Sequence, residues 1–333
     1  MTDFSHFLGS VPGRYVTQAF FHSLVASAIV EIAIKNWKIG SPSLRQKFLL
    51  VVIVFPIFSF PLFQLASPAR GSVYSRMGAL FDSSRWLNLE VFGVVPLGAG
   101  MILVFALTTL VFFFQELFPI LRHAVAARKS DFGGVGIREG DDPAIAQALE
   151  TLPGEKPPVL VLDEEDCVIF STTGKKAAVY VSSGLLEFLT VEQLRAALAH
   201  EIAHVVRSRR PFLVTVFFLR ILMFFNPVVL MEFRRAVQED EKVCDDMAMS
   251  ATCKPLVLAE TLKKLYLGPD AEGNGNRGTG QNAVGKMEDY SHRLNIESRI
   301  SRLEHGEAPA AGGQRLGLAL ALVAVVAINY FVL

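Results

Sequence analysis

The stretch LAHEIAHVV places His200 and His204 four residues apart, with Glu201 directly after the first histidine. Residues four apart on a helix share a face, so both imidazoles can be presented to one point and Glu201 can reach a water held there. This is the spacing of an HExxH zinc site, in which the glutamate is the general base and not a ligand. A catalytic zinc takes three protein ligands and keeps one position open. The acidic run EDEKVCDDMAM supplies Glu241 and Asp245, again four apart. Glu241 is the candidate third ligand. Asp245 is the candidate partner of a ligand imidazole, holding its tautomer. The expected cofactor is one Zn2+ per chain. Cys244, between the two acids, could approach the metal, but a small buried hydrophobe is the better reading.

These residues have to be brought together by elements that the sequence also marks. Thr190 and Gln193 form a capping box in TVEQ, opening the helix that carries HEIAH. The apolar segment 211–233 follows. As one straight span its ends would stand about 30 Å apart, too far for Glu241 to meet His204. The chain must therefore turn back, and Asn226-Pro227 is where a helix would break. A helical hairpin is expected, with Arg220 snorkelling toward water. Upstream, PPVLVLD, CVIFST and AAVYVS read as three short strands. AAVYVS reads equally well as an exposed edge able to pair with an extended substrate or as a plain sheet strand. The Gly/Asn-rich stretch 268–285 reads as a flexible loop, with self-cleavage there as one expectation, and a further helix runs from His292.

The chain is 51% hydrophobic and 19% charged over 333 residues, more apolar and less charged than an ordinary soluble protein. About 20 mostly apolar residues cross a bilayer core, and residues 16–37, 48–66, 92–120 and 316–333 meet that test. Basic residues after the first span (Lys35, Lys38, Arg45, Lys47) and after the third (Arg122, Arg128, Lys129) place those loops in the cytoplasm. Loop 67–91 then lies outside, although its own Arg70, Arg76 and Arg85 weaken the bias. Glu31 and Glu116 read as interfacial acids, and His22 and His123 as structural. The expected fold is a mostly α membrane protein with about four transmembrane helices and a cytoplasmic α+β domain. Its parts are a three-span region 1–121, a zinc domain 122–312 that includes hairpin 211–233, and a final span 313–333. Lys plus Arg and Asp plus Glu both number 32, so no basic field points to nucleic acid. Three cysteines without a CxxC pair read as reduced cytoplasmic thiols. No removable signal peptide is expected at the N-terminus.

The paired motifs, LTVEQLRAALAHEIAHVVRSR and NPVVLMEFRRAVQEDEKVCDDMAM, resemble those of integral-membrane gluzincin metalloproteases, most closely the BlaR/MecR antirepressor-type peptidases. AAVYVSSGLLEFLTVEQL and ESRISRL are similar to the neighbouring HtpX and CAAX prenyl protease group. The resemblance covers residues 16–303. It departs in having RSRRP after HEIAH, where the family often has an acid, and no penicillin-binding sensor domain follows. The resemblance implies a zinc endopeptidase of a bacterial inner membrane, with its active site facing the cytoplasm, and not a β-lactam receptor. Substrates would be membrane-associated or cytoplasmic proteins, cleaved in signalling or quality control. His292 or Arg299 would supply the oxyanion donor or contact substrate; a surface histidine and a salt-bridged arginine are equally good readings of the two. Partners beyond the substrate and the bilayer, whether a second copy or a sensor, stay open. The rival reading is a non-catalytic, zinc-stabilised scaffold or receptor, against which Glu201 speaks, since a structural site needs no base.

Overall fold

A computed structural model describes residues 7, 10–118, 137–139, 142–172, 177–208, 212–267, 283–306 and 314–333. In chain order its helices are α1 Val11–Asn36, α2 Pro42–Ala66, the short α3 Val73–Met77 and α4 Ser83–Leu87, then α5 Leu97–Phe112, which runs on into a π turn. After these come α6 Pro143–Glu150, α7 Ser183–Phe188, α8 Val191–Ser208, α9 Phe212–Leu222, α10 Pro227–Thr252, α11 Pro255–Tyr266, α12 Ala283–His305 and α13 Gln314–Tyr330. The strands are β1 Glu90–Val91, β2 Val95–Pro96, β3 Ile137–Glu139, β4 Val159–Leu162, β5 Ile169–Ser171 and β6 Val179–Ser182. The chain divides into two units. The first holds Met1–Asp131, Val214–Glu239 and Pro309–Leu333; the second holds Phe132–Leu213 and Asp240–Ala308. The hairpin segment, expected in the zinc domain, thus groups with the apolar helices.

In the first unit, Val11–Asn36, Pro42–Ala66 and Leu97–Gln115 are long and apolar enough to cross a membrane. The third begins later than expected because residues 90–96 form the β1–β2 hairpin. The apolar helix Leu316–Tyr330 is shorter than these three, so a fourth span rests on the sequence alone. Pro61 inside α2 leaves the Ile57 carbonyl without its helical donor, and the Tyr15 hydroxyl donates to that oxygen at 3.3 Å. His22 is fully buried, with Nε2 3.0 Å from the Val332 carbonyl and Nδ1 2.7 Å from Ser59 Oγ. A carbonyl only accepts, so Nε2 carries the proton, and His22 ties α1 to α2 and to the segment after α13 in the structural role expected of it.

The break at Asn226-Pro227 is a helix start. Asn226 Oδ1 accepts from the Val228 and Val229 amides at 3.1 and 3.4 Å, and Pro227 takes the first helical position. Asn226 Nδ2 donates to Ser23 Oγ at 3.1 Å, fixing the turn to α1. Arg220 does not snorkel as expected. It is 3% exposed, and its guanidinium lies over the rings of Phe112 (5.4 Å) and Phe233 (4.5 Å). Aromatic faces stabilise a desolvated cation there. Glu31 is paired with Lys35 (3.2 Å) and Arg235 (2.9 Å), and Arg235 also holds the buried Glu232 at 3.0 Å. Glu116 falls in the π turn and His123 outside the described residues.

The second unit carries a four-stranded sheet in the order β3-β4-β6-β5. The three expected strands form β4, β5 and β6. AAVYVS contributes β6, an interior strand parallel to β4 and antiparallel to β5, so it offers no free edge. Among the described strands the two edges are β3 and β5. Core residues Val179, Val181 and Leu185 join Leu194, Leu198 and Val205 of α8 in one cluster. In the first turn of α7, Gly184 passes so close to Glu165 that a Cβ would lie 1.9 Å from the Glu165 carbonyl oxygen. Gly184→Ala is therefore expected to destabilise this unit by about 1–3 kcal/mol, the range for forced overpacking, readable as a lowered thermal midpoint.

Candidate metal centre

The capping box forms as read: the Gln193 amide donates to Thr190 Oγ1 at 3.3 Å, and the Thr190 amide donates to Gln193 Oε1 at 3.2 Å. It starts α8 in the register that stacks His200 over His204. Their Nε2 atoms lie 3.1 Å apart. From α10, Glu241 places Oε2 3.5 Å from His200 Nε2 and Oε1 3.5 Å from His204 Nε2. Zinc bonds of about 2.0–2.1 Å in a tetrahedron put neighbouring donors about 3.3 Å apart. Separations of 3.1, 3.5 and 3.5 Å therefore fit one such ion.

Asp245, one turn along α10 and fully buried, stands 3.0 Å from His200 Nδ1. The contact is off the hydrogen-bond line, leaving Nδ1 without an aligned acceptor. Behind it, Arg299 grips Asp245 with both prongs, Nε to Oδ2 at 2.8 Å and Nη2 to Oδ1 at 2.7 Å. Its third nitrogen, Nη1, donates to Glu241 Oε2 at 3.0 Å. Next along α12, Arg302 pairs with Asp246 and donates to the Lys242 carbonyl at 3.2 Å. Arg299 thus positions a ligand and its supporting acid. Of the two roles left open for it, oxyanion donor or salt-bridged arginine, the structure shows the ion pairs, at 4% exposure. His292 lies on α12, and its side chain falls outside the described part.

The charges favour a cation. Burial pushes His200 toward its neutral form, but Asp245 and Glu241 outweigh burial and hold its pKa up at about 9. Burial raises Glu241, yet the two histidines and Arg299 hold it well below the usual carboxylate range. Asp245 is likewise held low against its burial by Arg299 and His200. Glu201, half-buried beside His200, makes no hydrogen bond or ion pair with the described residues.

A second group, His204, Asp240 and Cys244, also converges. Cys244 Sγ lies 3.4 Å from His204 Nδ1, the nitrogen turned away from Glu241. Burial, then Asp240 and Glu241, push the thiol well up and keep it protonated, while Asp240 is taken by Arg207. With Asp240 already engaged by Arg207, the His200–His204–Glu241 group is the better metal site, and Cys244 lies against the other nitrogen of His204 and orients its ring. Arg207 belongs to the RSRRP stretch that departs from the family pattern, and its partner acid comes from α10. A salt-bridged Arg299 was one of the two readings the sequence left open; which acids it meets was not legible, and the structure pairs Arg299 with Asp245 and Arg302 with Asp246.

Removing Arg299 would strand Asp245 and Glu241 as unpaired carboxylates. Arg299→Met is expected to cost about 3–5 kcal/mol, the scale for breaking a buried ion pair. Chemical unfolding of purified protein would measure it, and an unchanged midpoint would count against this network.

Residues 141–266 match the family model described as BlaR1 peptidase M56. That stretch contains His200, Glu201, His204, Glu241, Cys244 and Asp245 and ends before Arg299. The match supports a metallopeptidase of the BlaR/MecR type. No curated protein matches the chain.

Proposed function

We propose that this chain is a membrane zinc endopeptidase that cleaves membrane-associated or cytoplasmic proteins, with Glu201 as general base. The observation that carries it is the convergence of two imidazole Nε2 atoms and the Glu241 carboxylate at zinc-like separations. A bound zinc would polarise the attacking water and the scissile carbonyl. The side chains divide the remaining work. His200, His204 and Glu241 hold the metal. Asp245 fixes the His200 ring and Cys244 the His204 ring. Glu201 takes the proton of the attacking water and returns it to the leaving amine. Arg299 is engaged with Asp245 and Glu241, so the oxyanion donor comes from elsewhere, and His292 remains the candidate. An extended substrate would add to the β5 edge, where Phe170 is exposed and stacked on Tyr180 at 4.9 Å.

In this reading the helices that can cross a membrane, with α13 as a fourth span, anchor the domain in a bacterial inner membrane. The site faces the cytoplasm, as the basic loops indicate. The test is a proteomic comparison of membranes carrying the wild-type chain or its Glu201→Gln form. Proteins shortened only with wild type are the expected result. Identical protein profiles would instead favour a zinc-stabilised scaffold. Labelling of cysteines introduced in loop 67–91 would settle orientation, with outside access expected and cytoplasmic access reversing it.

A further inference from the structure

The first unit holds a cavity of about 220 Å³ at the start of α1 and the end of α2, lined among others by Arg14, Gln18, Gln64, Arg70, Arg76 and Asp82. Its charges do not balance. The Arg14 side chain makes no hydrogen bond or ion pair with the described residues, and its Nε is shielded from solvent without a partner. Arg70 is 4% exposed, yet it donates only to neutral oxygens: Gln18 Oε1 at 3.2 Å and the carbonyls of Asn329, Tyr330 and Val332 at 3.0, 3.1 and 2.6 Å. Arg76 donates to Ser84 Oγ at 2.9 Å. The acids in the wall are engaged locally: Asp82 Oδ1 accepts from the Ser84 amide at 3.0 Å and from Ser84 Oγ at 2.6 Å, and the carboxylate of Leu333, also in the wall, accepts from the Ser83 amide. None of the three guanidinium groups has a carboxylate within 4 Å among the described residues. Buried charge is ordinarily paired, and guanidinium forks match phosphate oxygens.

We propose that this cavity binds a phosphate-bearing anion, supplied as the head group of an anionic phospholipid. The shared chemistry is a phosphate ester, which a free phosphomonoester would also offer. The lipid is favoured by the surroundings. The cavity lies where two helices able to cross a membrane end. The helix that brings Arg76 to its wall, α3, exposes Val73, Tyr74 and Met77 at 77–87%. An apolar face beside an arginine-lined pocket suits acyl chains beside a phosphate. The start of α1, with Arg14 in its first turn, adds the positive end of a helix dipole. The site is separate from the metal centre and does not depend on the peptidase reading.

The test uses the full chain in zwitterionic detergent, with native mass spectrometry and thermal unfolding after addition of phosphatidylglycerol, phosphatidylcholine or glycerol 3-phosphate. One phosphatidylglycerol should be retained per chain and raise the midpoint, whereas phosphatidylcholine should do neither. Arg14→Gln, which breaks no side-chain hydrogen bond or ion pair with the described residues, should weaken retention about 10-fold or more, the scale of losing a charge-assisted hydrogen bond. Arg14→Gln/Arg76→Gln should weaken it further. Arg85→Gln, an arginine outside the cavity, should change nothing. Equal retention of both lipids, or an Arg14→Gln chain that binds like wild type, would overturn the site. Glycerol 3-phosphate stabilising the chain as well as phosphatidylglycerol would overturn the lipid as source.

Discussion

Glu201→Gln is expected to lower peptide hydrolysis by about 10²–10⁴-fold, the usual contribution of a positioned general base. Metal content and thermal midpoint should not change. Both halves follow from the same geometry. In the proposed site the three ligands are His200, His204 and Glu241, and Glu201 hydrogen-bonds to none of them, so its amide form should leave the metal set intact. Glu201 also makes no hydrogen bond or ion pair with the described residues, so no such interaction is lost with its charge. Loss of metal along with activity would mean that Glu201 is a ligand or a folding element. Retained activity would mean that another base acts.

The second large effect concerns the metal itself. His204→Ala or Glu241→Ala should reduce zinc from one per chain to nearly none, because two donors cannot hold the ion in competition with water. Asp245→Asn should weaken binding about 10–100-fold, the scale for a residue that acts through a ligand. The ranking separates ligation from support. Metal loss should also lower stability, by about 2.7–4.1 kcal/mol where zinc stands at 100 to 1,000 times its dissociation constant. Titration of the apo forms with a competing chromophoric chelator would give all three affinities. Equal affinities for His204→Ala and wild type would remove His204 from the site.

What the sequence made legible is what depends on spacing along one element. Four-residue steps on α8 and α10 identified His200, His204, Glu241 and Asp245, because helical period alone sets a face. The capping box and the Asn226-Pro227 start are local backbone chemistry and formed as read. Short β-rich runs between turn residues also became strands in their expected places. What stayed hidden depends on packing between elements. Whether AAVYVS is an edge or interior strand is decided by the order β3-β4-β6-β5, which no single strand encodes. Arg220 carries the same side chain whether it snorkels or lies between two phenylalanine rings. Arg299 is separated from Asp245 by 54 positions, and only the packing of α12 against α10 puts its guanidinium on that carboxylate. Cys244 looked like an inert hydrophobe because its neighbour, His204 Nδ1, lies 40 positions away. The self-cleavage expected in 268–285 falls largely outside the described residues.

X-ray absorption at the zinc edge, on the purified chain loaded with one equivalent, tests the central claim most directly. The expected first shell is nitrogen and oxygen at about 2.0–2.2 Å, with two imidazole scattering patterns and no sulfur. A sulfur scatterer at about 2.3 Å would show that Cys244 ligates the ion and that the His204–Asp240–Cys244 group is the true centre, contradicting a site built from His200, His204 and Glu241.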